Sequence, residues 1–413
     1  VTITSPTGLI DENQYFSLVQ DDLEDALGAG ADLVQQSQST PYRRPNPRTV
    51  RIRVPGGTHL VELSRRAPVF SGPEAKLVSA YADALEQFGS VPRVFATTAS
   101  EDVLTRAIAV RCSRDDAEAR VVETVIQALI RHASTTYEGT RVAVGICLDL
   151  NESQGGIRLE AFLRQPWAPI LGSGLSSAVL LNKRGSALRV IELPAINATS
   201  VLAPEPFAAL ADWTNSDGRI AIAITRSGEL YLFDDGELLL ARRNSRWRAF
   251  PLRSLQSSGW FGDTSRKLSP MVKTTLLTSL VDASAAHHGA CLGIIHNSDS
   301  ARAIQNLVDQ KDQWSTPGNH RRTMFNEASF LKLSRRHRLE LLSMDGATLL
   351  NQSGLILAAG AILTVHGGSP GGGRTAAARA LAAFGVGIKV SQDGPVTAYV
   401  RTGNRTVEHF SLG

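Results

Sequence analysis

The chain has little of what small secreted or membrane-bound proteins rely on. Only three cysteines occur in 413 residues, Cys112, Cys147 and Cys291. They lie far apart without metal-ligand spacing, so a disulfide framework and a zinc site are not expected. Reduced, buried thiols in a cytoplasmic protein are. No apolar run approaches the roughly 20 residues that a membrane-spanning helix needs. The opening VTITSPTGLIDENQYF has no basic start followed by an apolar stretch, so no signal peptide is expected there. Charge of either sign is scarcely in excess: a formal net charge of +4 over a chain of this length makes no case for a nucleic-acid partner. What is present, 43% apolar and 20% charged residues, is the composition of a globular protein long enough for two or three cores.

Three regions follow from the pattern. Residues 1–66 read as an N-terminal arm and linker: a short helical pattern, the polar stretch QQSQSTPYRRPNPR, and an alternating edge strand around Val50–Val61. Residues 67–255 read as an α+β domain. Leu77, Tyr81, Leu85 and Phe88 recur at helical spacing. So do Val121, Val125, Leu129 and Ala133 in the clearest helix, Asp115–Tyr137, which precedes a strand over Arg141–Leu150. From Gly218 to Phe250 short strands alternate with turns at Ser227-Gly228 and Asp234-Asp235-Gly236, an antiparallel meander. No repeat of regular period is evident.

Residues 256–413 alternate helical and strand patterns, an α/β region preceded by the α+β domain. Helices are expected over 270–286, 330–342 and 375–384. Strands are expected over 290–296, 347–350, 355–359, 386–390 and 396–400, and the polar stretch 298–328 reads as a loop or partly ordered insertion.

Four segments of this last region occur in a suggestive order: LLTSLVDASAAHHGACLGIIH; Asp345-Gly346-Ala347 followed by LILAAGAIL; GGRTAAARAL; and KVSQDGPVTAYV. As an ordered set over about 135 residues, from Leu268 to Thr402, they resemble a diadenylate cyclase domain of the kind that opens DNA-integrity scanning proteins. The resemblance implies a mixed sheet flanked by helices that holds one ATP, with Mg²⁺ or Mn²⁺, works as a face-to-face homodimer and joins two ATP molecules into cyclic di-AMP. It implies Asp345 as the metal-binding and, in an active enzyme, catalytic carboxylate. It implies Gly346, Ala347, Gly372, Gly373, Arg374, Thr375 and Ser391 as nucleotide-binding positions, with Lys389 a weaker one. A Gly-rich loop leading into a helix suits phosphate, because it presents backbone N–H groups at the positive end of the helix dipole.

The third segment departs from that pattern. Active cyclases carry Gly-Thr-Arg-His-Arg-Ala-Ala, where this chain has Gly372, Gly373, Arg374, Thr375, Ala376, Ala377 and Ala378. One arginine survives; the threonine, the histidine and the second arginine do not. Each lost charge-assisted contact is worth about 1.5–3 kcal/mol. The altered run is closer to a sensor-like branch that binds nucleotide signals, and VVETVIQALIRHASTTYEGTRVAVGI with the meander is similar to the region preceding the nucleotide domain in that branch. A sensor or regulatory protein binding ATP, a related adenine nucleotide or a cyclic dinucleotide is therefore the first expectation. An active cyclase and a structural protein with an empty pocket stay open beside it. Other clusters are read as scaffold. Arg335-Arg336-His337-Arg338 is expected to be a charged helix face, His287-His288 a helix end, and the arginines around Trp247 the cover of a sheet face.

Overall fold

The computed structural model describes residues 12–35, 48–53, 59–88, 96–168, 172–257, 268–317, 319–325, 328–365 and 372–413. Most of the polar stretch at 35–48, Gly56, Gly57 and Gly371 lie outside them. Contacts divide the chain into two units, Val1–Ile196 with Ala209–Pro251, and Asn197–Ala208 with Leu252–Gly413.

In the first unit, the region expected as an arm carries β1 (Gly30–Gln35), β2 (Thr49–Arg53) and β3 (His59–Ser64), an antiparallel sheet in the order β1-β3-β2. Its apolar residues Ile52, Val61 and Leu63 join the core of the helices Gly72–Phe88, Ala96–Arg111 and Asp116–His132. The last of these follows the expected spacing: Val122, Val125, Ile126 and Leu129 are buried, and Asp115 caps it by accepting from Glu118 N at 2.9 Å. It stops at His132 rather than Tyr137, and Glu138 and Gly139 beyond it take positive φ. They form the turn of a small hairpin, β4 (Thr136–Tyr137) and β5 (Thr140–Arg141).

An eight-stranded sheet completes the unit. Its strands are β6 (Val144–Asp149), β7 (Ile157–Arg158), β8 (Ser177–Leu181), β9 (Ser186–Glu192), β10 (Arg219–Ile224), β11 (Leu230–Asp234), β12 (Glu237–Arg243) and β13 (Arg246–Ala249). They lie in the order β13-β12-β11-β10-β6-β8-β9-β7. β10 to β13 are the expected meander, and only the β6–β8 pair is parallel. Arg243 is buried against Glu229 and the Tyr231 hydroxyl, and Trp247 is buried as well, as the sheet-cover reading requires.

The second unit holds a six-stranded mixed sheet: β14 (Ala290–Ile295), β15 (Ala347–Asn351), β16 (Ile356–Ala361), β17 (Gly385–Val390), β18 (Val396–Thr402) and β19 (Arg405–Leu412). The order is β16-β15-β14-β17-β18-β19, with β14 and β15 parallel and all other pairs antiparallel. The helix Gly372–Leu381 sits close on this sheet because Gly293 and Gly387, partners across β14 and β17, leave room for it. A Cβ at Gly387 would lie 1.7 Å from the Ala378 carbonyl oxygen, and one at Gly293 2.8 Å from a Leu381 methyl.

Three expectations need correcting here. Residues 298–328 contain two helices, Ser300–Leu307 and His320–Phe325, the first of which packs an apolar stripe of Ala303, Ile304, Leu307 and the following Val308 into the core. The expected helix 330–342 begins only at Arg335, because Ser334 leaves the helical region and caps it by accepting from His337 N. The expected helix 375–384 begins three residues earlier, within the glycines, and ends at Leu381. β19 was not foreseen. No helix among the described residues is long and apolar enough to cross a membrane.

Candidate functional site

Parallel pairing sets Cys291 opposite Ala347, so the starts of β14 and β15 lie side by side. Asp345 and Gly346 lead into β15. Gly346 has φ +101°, and a Cβ there would fall 2.6 Å from the Gly360 carbonyl carbon. Glycine is thus demanded by the neighbouring chain, whatever binds nearby. From the other side comes the first turn of the helix Gly372–Leu381, whose Gly372 and Gly373 are exposed with nothing within 4 Å of a Cβ position.

Between these elements lies a cleft of about 690 Å³. Asp345, Gly346 and Ala347 line one side, Gly372, Gly373 and Arg374 another, and Cys291 a third. Ala361, Ile362, Leu363, Val365, Ala376 and Ala377 make it largely apolar. The Arg374 guanidinium lies over Gly289, where a Cβ would be 2.6 Å from Nη1. Asp345 and Arg374 are both exposed, and neither has an ion-pair partner among the described residues. Asp345 accepts only from its neighbour Gly346 N at 3.1 Å. Burial pushes the Cys291 thiol up to about 12, with nearby Arg374 opposing the rise.

The cleft therefore gathers six of the eight expected positions. Thr375 is not one of its lining residues: at 4% exposure its side chain is packed into the protein. Ser391 does not line it either, and forms the β17–β18 turn by donating to Pro395 O and accepting from Gly394 N. Lys389, on β17, also lies outside the lining. Cys291 and the wall at 361–365 were not expected. The parallel register of β14 and β15 would have pointed to Cys291, but that register is not readable from sequence.

The polar stretch 298–328 braces that wall. Asp309 N donates to Ile362 O at 2.9 Å, and Thr364 N to Leu307 O at 2.7 Å. The buried Asp312 carboxylate accepts from Ile362 N at 2.9 Å and from Arg321 Nη1 at 2.8 Å, and Arg321 Nη1 also reaches Gly360 O at 2.9 Å.

The Arg335–Arg338 run is not a uniformly solvated face. Arg336 is exposed, but Arg335 and Arg338 are 4% and 1% exposed. Arg335 is bonded to Asp282 and to backbone carbonyls, far from any catalytic arrangement. His288 Nδ1 meets the Ser343 hydroxyl and His287 Nδ1 the Gln392 carbonyl, so the two imidazoles do diverge. Among the described residues no group of three or more His, Cys, Asp or Glu could hold a metal. No protein-family model matches the chain, and no curated protein matches it.

Proposed function

We propose that the second unit is a divergent diadenylate cyclase-type domain that binds an adenine nucleotide or cyclic dinucleotide as a sensor. The observation that supports this reading is that Asp345 and Arg374, unpaired among the described residues, line one cleft with the open, glycine-lined start of a helix. A guanidinium and backbone N–H groups at a helix N-terminus suit phosphate oxygens, and the apolar wall suits a purine face. Asp345 alone cannot cage a cation. It fits Mg²⁺ or Mn²⁺ held jointly with phosphates, since Mg²⁺ commonly takes one or two carboxylates and the rest from substrate and water. That ion would neutralise phosphate charge.

Sensing is favoured over synthesis by what the cleft lacks. Phosphoryl transfer depends on neutralising charge at the moving phosphate, and at the position of the second family arginine stands Ala376. A cytoplasmic homodimer goes with this reading. Calorimetry with ATP–Mn²⁺ and with cyclic di-AMP tests it: binding in the micromolar range, lost in Arg374→Ala and weakened in Asp345→Asn, is the expected result. Absence of binding to every adenine nucleotide would refute it. Accumulation of cyclic di-AMP from ATP and Mn²⁺ would show an enzyme instead.

A further inference from the structure

We infer that the first unit contains a second copy of the fold of the second unit, with its own ligand cleft closed, so that each chain offers one ligand position and not two. The count of ligands rests on the reading of the second unit's cleft given above; the duplication and the closure do not.

The topologies coincide strand for strand. The first unit contains the run β12-β11-β10-β6-β8-β9, and the second is β19-β18-β17-β14-β15-β16. In each, a helix leads to the central strand, the next sheet strand beside it is parallel, and a hairpin turns back at that edge. A helix then crosses to the other side, where an antiparallel strand starts two further hairpins. Such agreement over six strands in the same chain order leaves few alternatives to duplication.

The turns agree atom for atom. Asn182 Oδ1 accepts from Arg184 N and Ser186 N at 2.9 and 3.0 Å, and Asn351 Oδ1 from Ser353 N and Leu355 N at 3.0 and 2.9 Å. Gly185 and Gly354, three residues on, both donate back to the asparagine carbonyl, with φ +71° and +80°. On the other side of the sheets, Thr225 N donates to Glu229 O and Gly228 N to Thr225 O. Ser391, Pro395 and Gly394 repeat both bonds. With these anchors SSAVLLNKRG aligns without a gap on DGATLLNQSG.

The alignment identifies what replaced the site. Asp345 corresponds to Ser176, Gly346 to Ser177 and Ala347 to Ala178. The registers Ile146↔Val179 and Leu292↔Thr348 make Gly145 the counterpart of Cys291. The helix–strand connection is three residues long in the second unit, 382–384, and five in the first, 214–218, so strand register does not carry across it, but the corresponding crossover, 197–218, holds no arginine or lysine. Both charged groups are gone.

So is the space. A Cβ at Gly145 would lie 2.2 Å from Gly174 Cα and 3.4 Å from a Leu210 methyl. Gly145 N also donates to Gly172 O. The 172–174 loop and Leu210, which is fully buried, therefore fill the ground that the cleft occupies beside Cys291. The first unit can supply neither a second binding site nor a second reacting nucleotide.

Calorimetry on the full chain with cyclic di-AMP or ATP–Mn²⁺ should give one site per chain, and Asp345→Asn with Arg374→Ala should remove all binding. Two sites, or full-strength binding that survives both changes, would overturn the inference. Should the wild-type chain bind nothing, the functional reading fails, and the closure is still decided by hydrogen exchange on Gly145→Ala and Cys291→Ala. Exchange across 172–181 should rise about tenfold or more in Gly145→Ala, or that variant should fail to fold, while Cys291→Ala changes exchange across 345–351 by less than about twofold. Gly145→Ala exchanging and melting like wild type would show that the first cleft has room after all.

Discussion

Two buried arginines on one helix should respond to the same substitution in opposite senses. Arg335 and Arg338 both lie on the helix Arg335–Leu342, at 4% and 1% exposure. Arg335 is fully engaged: Nε and Nη2 reach the two Asp282 oxygens at 2.8 and 2.5 Å, and Nη1 and Nη2 bond the carbonyls of Ala198, Val201 and Ala203. Arg338 has enclosed Nε and Nη2 atoms without an acceptor, and faces the Phe330 ring at 5.9 Å. Burial, then the Arg335 charge, depress its pKa. Arg335→Met would strand the Asp282 carboxylate in the interior, a loss of about 3–5 kcal/mol. Arg338→Met removes a desolvated donor group that only the Phe330 ring and the charges of Asp282 and Glu205 offset, and should be neutral or stabilising by about 1–3 kcal/mol. Because the chain has two units, a single denaturation curve would blur the effect. Hydrogen exchange of the β14 amides reads the second unit directly. At tenfold per 1.4 kcal/mol, Arg335→Met should speed that exchange by about two to four powers of ten, and Arg338→Met should leave it unchanged or slow it. Equal destabilisation by both would refute the reasoning, and would mean that Arg338 has a counter-ion.

Gly346→Ala should cost at least about 2 kcal/mol and lower the melting temperature, since it combines φ +101° with a Cβ 2.6 Å from Gly360; an unchanged melting temperature would contradict the close approach. Asp312→Ala leaves Ile362 N–H without its acceptor and cuts the bond to Arg321, about 1–3 kcal/mol for each charge-assisted contact. Exchange at 360–365 should rise, and no change there would mean that the 298–328 stretch does not brace the wall. Burial holds the His132 imidazole below its ordinary pKa. The unfolded chain then binds the proton first, so this contribution is complete above about pH 6.5 and is lost as pH falls below it. His132→Gln should therefore gain on wild type in melting temperature between pH 7.5 and 5.5, and parallel pH profiles would rule this out.

Legibility followed the local signals. The helix over Asp116–His132, the meander β10–β13 and the strands β14 to β18 were readable because period, turn residues and burial agree. Apolar spacing misjudged the ends wherever a cap or a positive φ decides them, at Glu138, Ser334 and Gly372. The Ser300–Leu307 helix escaped because its apolar stripe, Ala303, Ile304, Leu307 and Val308, spans only two turns inside a stretch that is otherwise polar. Within the cleft, the ordered motifs gave Asp345 and Arg374, whereas Cys291 depends on strand register and Thr375 on which face of its helix turns inward. The duplication was hidden for a related reason. Its copies share turn asparagines and glycines and alternating apolar residues, which are too sparse to stand out until pairing registers align them.

On the reading proposed above, the altered triplet bears on synthesis and the closed first cleft on how many ligands one chain holds. Joining two nucleotides requires two loaded clefts facing each other and enough positive charge at each α-phosphate. Ala376 removes charge from the one open cleft. Leu210 and the 172–174 loop fill the corresponding ground in the first unit, so on the proposed reading a reacting pair would need the open clefts of two chains. Neither change touches what simple binding needs, which is space, an apolar wall and a guanidinium beside a helix start. On the proposed reading the cleft has what binding needs and lacks charge that transfer needs, so one ligand per chain is the stoichiometry that tests it.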